Sequence, residues 1–144
     1  MEYQTFLGID IGKATFVVAE HGVTTAPESF ANTPEGIATF LHQAQRQWPQ
    51  ALVVLEATGG YETALLAALV NAGIAVHRAA PRAAHFFLRS LQPRAKSDPL
   101  DAQGLARYGA DRQAELPCYQ LPAAAQERLT ALLSRRADVL AMRT

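Results

Sequence analysis

Thr5-Phe6-Leu7-Gly8-Ile9-Asp10-Ile11-Gly12-Lys13-Ala14-Thr15-Phe16-Val17-Val18-Ala19-Glu20 holds two runs of β-branched and apolar residues, parted by Gly12-Lys13. Thr5 to Ile11 and Thr15 to Glu20 therefore read as strands, and Val23 to Phe30 reads as a third, set off by His21-Gly22. Connections this short imply an antiparallel meander. Downstream, Thr33-Pro34 has the form of a helix N-cap followed by proline at the first helical position. Ile37, Phe40, Leu41 and Ala44 then recur at helical spacing as far as Trp48-Pro49. Ala51 to Leu55 is a continuous apolar run ending at Glu56, and Thr58-Gly59-Gly60 separates it from a helix running from about Tyr61 to Ala72, where Gly73 supplies the stop. Ile74 to Val76 reads as a further strand, followed by helices over about Pro81 to Ser90, about Pro99 to Ala110, and from about Ala123 onward.

The order βββαβαβ followed by helices predicts an α/β fold with a mixed sheet and helices on its faces, since parallel strands of this kind are covered on both sides. That order is the RNase H-like arrangement. Leu129, Leu132, Leu133 and Leu140 form an apolar stripe on the last helix, which meets no glycine or proline before Thr144. The pattern reads as a helix that continues, as a coiled coil or as an arm toward another domain.

A chain of 144 residues, 49% hydrophobic, is the size of one ordinary domain and long enough to bury a sizeable core. No stretch approaches the roughly 18 apolar residues of a membrane span, and residues 1–6 lack the layout of a signal peptide, so the sequence reads as cytoplasmic with no membrane partner. The one cysteine, Cys118, has no internal disulfide partner and reads as structural. Net charge is zero, but residues 1–62 carry two basic against seven acidic side chains (−5), and residues 63–144 carry eleven against six (+5). An acidic region beside a basic one suits a metal-using enzyme acting on a polyanion.

Four acids stand out. Asp10 is a carboxylate inside an otherwise apolar strand, where it needs a partner: a metal, a phosphate-handling site or a backbone N–H. Glu56 ends what reads as a parallel strand, the sheet edge where α/β folds place their ligands; it also suits the start of the following helix, whose dipole favours an acid. Asp98 and Asp101, in Lys96-Ser97-Asp98-Pro99-Leu100-Asp101-Ala102, lie one turn apart on one helix face, a spacing that equally fits an N-cap, Pro at N1 and an acid three residues on. Together, one strand Asp, one strand-end Glu and a helix-borne pair form an all-oxygen set suited to Mg²⁺ or Mn²⁺. Two such ions, ~3.5–4 Å apart, serve phosphodiester chemistry.

Between Thr63 and Ser97 there is no acid, whereas Arg78, Arg82, Arg89, Arg94 and Lys96 all fall there. With Lys13 beside Asp10, they are the candidate nucleic-acid contacts; Arg82, His85 and Arg89 share a helix face, with Phe86 or Phe87 nearby for stacking or core packing. A solvated helix face explains the same pattern. The four histidines show no metal-ligand spacing, and neither Ser97 nor Cys118 lies in a nucleophile motif.

The motifs Gly8-Ile9-Asp10-Ile11-Gly12-Lys13, Glu56-Ala57-Thr58-Gly59-Gly60-Tyr61, Lys96-Ser97-Asp98-Pro99-Leu100-Asp101-Ala102 and Leu105-Ala106-Arg107-Tyr108-Gly109 together resemble the DEDD transposases of insertion sequences, relatives of the Piv DNA invertase. The resemblance covers nearly the whole chain in order and spacing. It implies a RuvC-like domain with Asp10, Glu56, Asp98 and Asp101 as its metal-binding acids, and DNA as its substrate. Ser97 stands where the family usually has threonine, a change that leaves the acids undisturbed. Family members also carry a C-terminal transposase domain with a proposed nucleophilic serine, reached through a helical segment. The resemblance thus divides the chain into a RuvC-like domain over 1–110 and a linker with the start of that helical segment over 111–144. It further implies a homo-oligomer with composite active sites, guided by a structured bridge RNA. Without the serine domain, residues 1–144 are not expected to complete strand exchange.

Two other readings compete. An actin-like ATPase or sugar-kinase fragment also opens with an Asp-x-Gly loop like Asp10-Ile11-Gly12-Lys13, but it requires a second phosphate loop and an adenosine motif that are not found, and leaves Asp98 and Asp101 without a role. A non-catalytic module that dimerises and binds nucleic acid would use its acids only as helix caps.

Overall fold

The computed structural model describes residues 2–80, 86, 87, 89, 90 and 102–121. Three antiparallel strands open it: β1 (Thr5–Ile11), β2 (Thr15–Glu20) and β3 (Glu28–Ala31). Helix α1 (Pro34–Gln47), strand β4 (Ala51–Glu56), helix α2 (Thr63–Asn71), strand β5 (Ala75–Ala79) and helix α3 (Ala102–Arg112) follow. The sheet has the order β3-β2-β1-β4-β5, with β1 parallel to β4 and β4 parallel to β5. This is the mixed sheet with flanking helices that the element order implies.

Three boundaries move. The third strand pairs only over Glu28–Ala31; Val23 to Pro27 lie outside the ladder, and Pro27 has no N–H to give one. Helix α2 starts at Thr63 rather than near Tyr61, because the chain first closes a turn in which Thr63 N–H donates to the Gly60 carbonyl. Strand β5 runs to Ala79, three residues beyond Val76, paired with β4 as far as Glu56 and Ala79. Helix α1 matches its expected limits: Thr33 caps it by accepting from Gly36 N–H, and Trp48 ends it. Cys118, read as structural, is exposed, its sulfur 3.4 Å from the Tyr3 hydroxyl. The expected helical positions 81–85, 88 and 99–101 and the expected terminal helix from Ala123 lie outside the described residues.

Strand alternation divides the side chains between two cores. Leu7, Ile9 and Ile11 of β1, with Val53 and Leu55 of β4, pack beneath α1 and α2. Phe16, Phe30, Phe40 and Trp48 close that layer with ring contacts, and the Trp48 indole N–H donates to Glu20 at 2.9 Å. Fully buried side chains such as Phe16 and Phe40 contribute about 1.5–3 kcal/mol each. On the other face, Leu52 and Val54 meet Leu105 and Tyr108 of α3, together with Phe87.

That second face depends on two glycines. A Cβ on Gly8 would run into the Ala102 carbonyl oxygen, the Ala106 nitrogen and the Leu105 Cβ. One on Gly109 would meet the Val54 methyl at 2.8 Å. Helix α3 therefore lies directly on the backbone of β1, with its Ala102 end over Gly8 and its Gly109 end over Leu52, Val54 and Phe6. It runs antiparallel to β1 and starts at the carboxyl edge of the central strands.

Gly8→Ala should destabilise the chain by about 3 kcal/mol, the upper range for overpacking, because backbone rather than a movable side chain blocks the methyl. Gly12→Ala meets only the Thr15 carbonyl, at 3.3 Å, and should cost under about 1 kcal/mol. Urea unfolding of the two variants checks the contrast; equal losses would mean that α3 does not seat on Gly8.

Candidate metal centre

Asp10 and Glu56 occupy neighbouring places at one edge of the sheet. The parallel register pairs Ile9 with Leu55, so the next step along the two strands sets Asp10 beside Glu56. Alternation puts both on the α3 face: Phe6 and Gly8 precede Asp10 on that side of β1, as Leu52 and Val54 precede Glu56 on β4. Neighbouring strands lie ~4.8 Å apart, so two carboxylates come together on one face with no help from side-chain flexibility.

The expectation that Asp10 is buried in an apolar strand needs correcting. Asp10 is exposed and Glu56 half-buried, because the strands end at this edge. Among the described residues, no three His, Cys, Asp or Glu side chains gather closely enough to hold a metal ion. Asp98 and Asp101, the other two expected ligands, lie outside the described residues, as do Arg82, Arg94 and Lys96. Ala102, joined to Asp101 by one peptide bond, sits over Gly8, two residues before Asp10.

Of the expected nucleic-acid contacts, Lys13 is exposed in the β1–β2 turn, three residues from Asp10, and Arg89 is exposed in a helical stretch. Arg78 is committed differently. Its Nε and Nη2 both donate to Glu62 Oε2, at 3.2 and 3.1 Å. Glu62 is 2% exposed and its other oxygen, Oε1, accepts from Thr58 N–H, the Thr58 hydroxyl and Gly60 N–H at 3.0–3.1 Å. Burial pushes this carboxyl up, but hydrogen bonds from the backbone N–H groups of Glu62, Thr58 and Gly60 and from the Thr58 hydroxyl outweigh it, holding the pKa at about 2 against an ordinary 4.5. The acid at the start of α2 is thus Glu62, whereas Glu56 belongs to the strand end.

A second tie reaches the same loop from outside. The Asn32 side-chain amide donates to the Gly12 carbonyl at 3.0 Å and to the Tyr61 carbonyl at 3.1 Å. Its own N–H donates to the Ala14 carbonyl at 2.8 Å. Glu62 and Asn32 do not stand out in the sequence: one is a helix-start acid among several, the other a polar residue before a helix cap. Their partners are set by tertiary structure, and only Thr58 and Gly60, four and two residues before Glu62, give a local hint.

The family model of the DEDD transposases of IS110 type, described as a transposase family, matches residues 7–144. The chain belongs to this family. It is also similar to the pilin gene-inverting proteins of Moraxella lacunata and Moraxella bovis, 34% identical to each over 137 residues and covering 92% of the chain. The chain spans 42% of the length of these relatives. In fold it resembles RuvC of T. thermophilus, solved in complex with a Holliday junction substrate, with a TM-score of 0.55 and 17% identity over 81% of this chain and 100% of that one. The fold is RuvC-like, and family membership supersedes the ATPase reading of the Asp10-Ile11-Gly12-Lys13 turn.

With its pKa lowered, Glu62 contributes stability that is fully present above about pH 4.5 and is lost as pH falls toward 2. Over that window the native chain should lose about 3 kcal/mol more than Glu62→Gln, by chemical unfolding at each pH. Equal acid sensitivity of the two proteins would mean that the Glu62 carboxylate is not held ionised by its donors.

Proposed function

We propose that this chain is the metal-dependent, RuvC-like catalytic domain of a transposase or site-specific recombinase acting on DNA, with Asp10, Glu56, Asp98 and Asp101 as the metal-binding acids. The observation that carries this reading is the placement of Asp10 and Glu56 side by side on one face at the carboxyl edge of the two central strands. Helix α3 adds to it, because its first turn lies over Gly8 and its preceding residue in the chain is Asp101. The donor set, all carboxylate oxygen, fits a hard divalent cation. Mg²⁺ or Mn²⁺ ions bound there, two in number, would activate a nucleophile and stabilise a leaving oxygen in phosphodiester chemistry.

The pilin gene-inverting relatives support DNA as substrate and strand rearrangement as outcome. Lys13 and Arg89 are exposed, and with Arg82, Arg94 and Lys96 they supply cations for a phosphate backbone. Arg78 takes part only with the guanidinium edge turned away from Glu62. A homo-oligomer, a structured bridge RNA and a C-terminal serine domain following a helical segment over 111–144 complete the proposal for the whole recombinase. Among the described residues, no helix is long and apolar enough to cross a membrane.

Mn²⁺ at a hundredfold excess over its dissociation constant should raise the unfolding free energy by about 2.7 kcal/mol. Asp10→Ala, Glu56→Ala and Asp101→Ala should each abolish that gain. Thermal unfolding with and without Mn²⁺ gives the answer; a gain that survives Asp10→Ala and Asp101→Ala would sink the four-acid site.

A further inference from the structure

We propose that Asn32 is a positioning residue that fixes the separation of the two acid-bearing strand ends; this rests on the acid-site reading above. The argument begins with what an asparagine amide offers: two N–H donors on one nitrogen, diverging in one plane. In this chain both are used, on carbonyls from two different strand exits. Gly12 is two residues after Asp10, and Tyr61 is five residues after Glu56. The acceptors are both backbone carbonyls, so the chemistry itself sets which end of the amide faces them.

Within the sheet, β1 and β4 are held together by ladder bonds as far as Ile9 and Leu55. Beyond that pair the two chains soon leave the sheet, β1 after Ile11 into the Gly12–Thr15 turn and β4 after Glu56 into the loop over residues 57–62. Each exit is internally firm. Gly12 N–H donates to the Thr15 carbonyl at 2.8 Å, and the buried Glu62 carboxylate gathers Thr58 and Gly60. Ala57 N–H also donates to the Ala79 carbonyl at 3.1 Å, tying the second exit to β5. Among the described residues, the Asn32 side chain joins one firm exit to the other, and its own backbone is anchored by the bond to Ala14. Its effect on a cation passes through the backbone of both loops.

The clamp has a distinct signature. Loss of a group that orients ligands weakens metal binding without removing a ligand, typically by about 10- to 100-fold. Asn32→Ala removes both donors; Asn32→Ser leaves a hydroxyl too short to span the two carbonyls. Both should raise the Mn²⁺ dissociation constant of the full 144-residue chain about tenfold or more, read by loss of the free Mn²⁺ paramagnetic resonance signal, with serine no better than threefold below alanine. Thr33→Ala is the matched control: it removes the neighbouring helix cap and lowers thermal stability, but should leave Mn²⁺ affinity unchanged. The serine variant carries the test if the alanine variant does not fold. Wild-type Mn²⁺ affinity in the folded Asn32 variants overturns the clamp while leaving the acid site standing. Equal weakening in Thr33→Ala overturns it too, because general loosening would then explain the loss. If the native chain binds Mn²⁺ no better than Asp10→Asn, the acid-site reading fails, and the clamp falls with it.

Discussion

The parallel pairing of β1 with β4 is the constraint on which the rest of the molecule depends. Once Ile9 lies beside Leu55, alternation settles every neighbouring side chain. Leu7, Ile9, Val53 and Leu55 point into the layer under α1 and α2, while Phe6, Leu52 and Val54 face α3. A slip of one residue would turn the apolar set toward the wrong layer and carry the two acids to opposite faces. The register that buries the largest side chains is the same register that sets Asp10 next to Glu56, so core formation and site formation are one event. Gly8 completes the arrangement, for the missing side chain is what lets α3 rest on the strand.

The carboxylates of this region divide by physical environment. Glu62 is sealed, with both oxygens engaged by protein donors and its charge matched by Arg78. Its lone pairs are already committed, so it shapes a loop. Asp10 and Glu56 sit where solvent reaches, at strand ends on the opposite face. A carboxylate enclosed by protein donors and two carboxylates at a strand edge thus lie only a few residues apart in sequence.

Much of this was legible in the residues. The two apolar runs from Thr5 to Glu20, the cap at Thr33-Pro34 and the run from Ala51 to Glu56 gave the strand and helix order, because periodicity reports burial directly. The family motifs led to the same four acids from another side. The sequence was less informative where tertiary contacts decide. Val23 to Pro27 has strand composition but lies outside the ladder, where Pro27 has no N–H to give, so β3 shrinks to Glu28–Ala31. The exposure of Asp10 belongs to the sheet edge near which β1 ends, which no local pattern encodes. Arg78 read as a cation for phosphate, and only the fold reveals the buried Glu62 that takes two of its donors. Asn32 was invisible for a similar reason: its partners lie 20 and 29 residues away.

After α3 the chain returns along the free side of β5, where Tyr119 N–H donates to the Val76 carbonyl at 2.7 Å and the Pro117 carbonyl meets His77 Nδ1 at 2.8 Å. This stitching covers a sheet edge that would otherwise invite another strand. It also gives the exit of the domain a mechanical address. The residues at 117–119 grip β5, β5 carries Arg78, and Arg78 holds the Glu62 loop that follows Glu56. A pull on the chain at residue 121 would therefore load β5, the strand to which the Glu62 loop is tied.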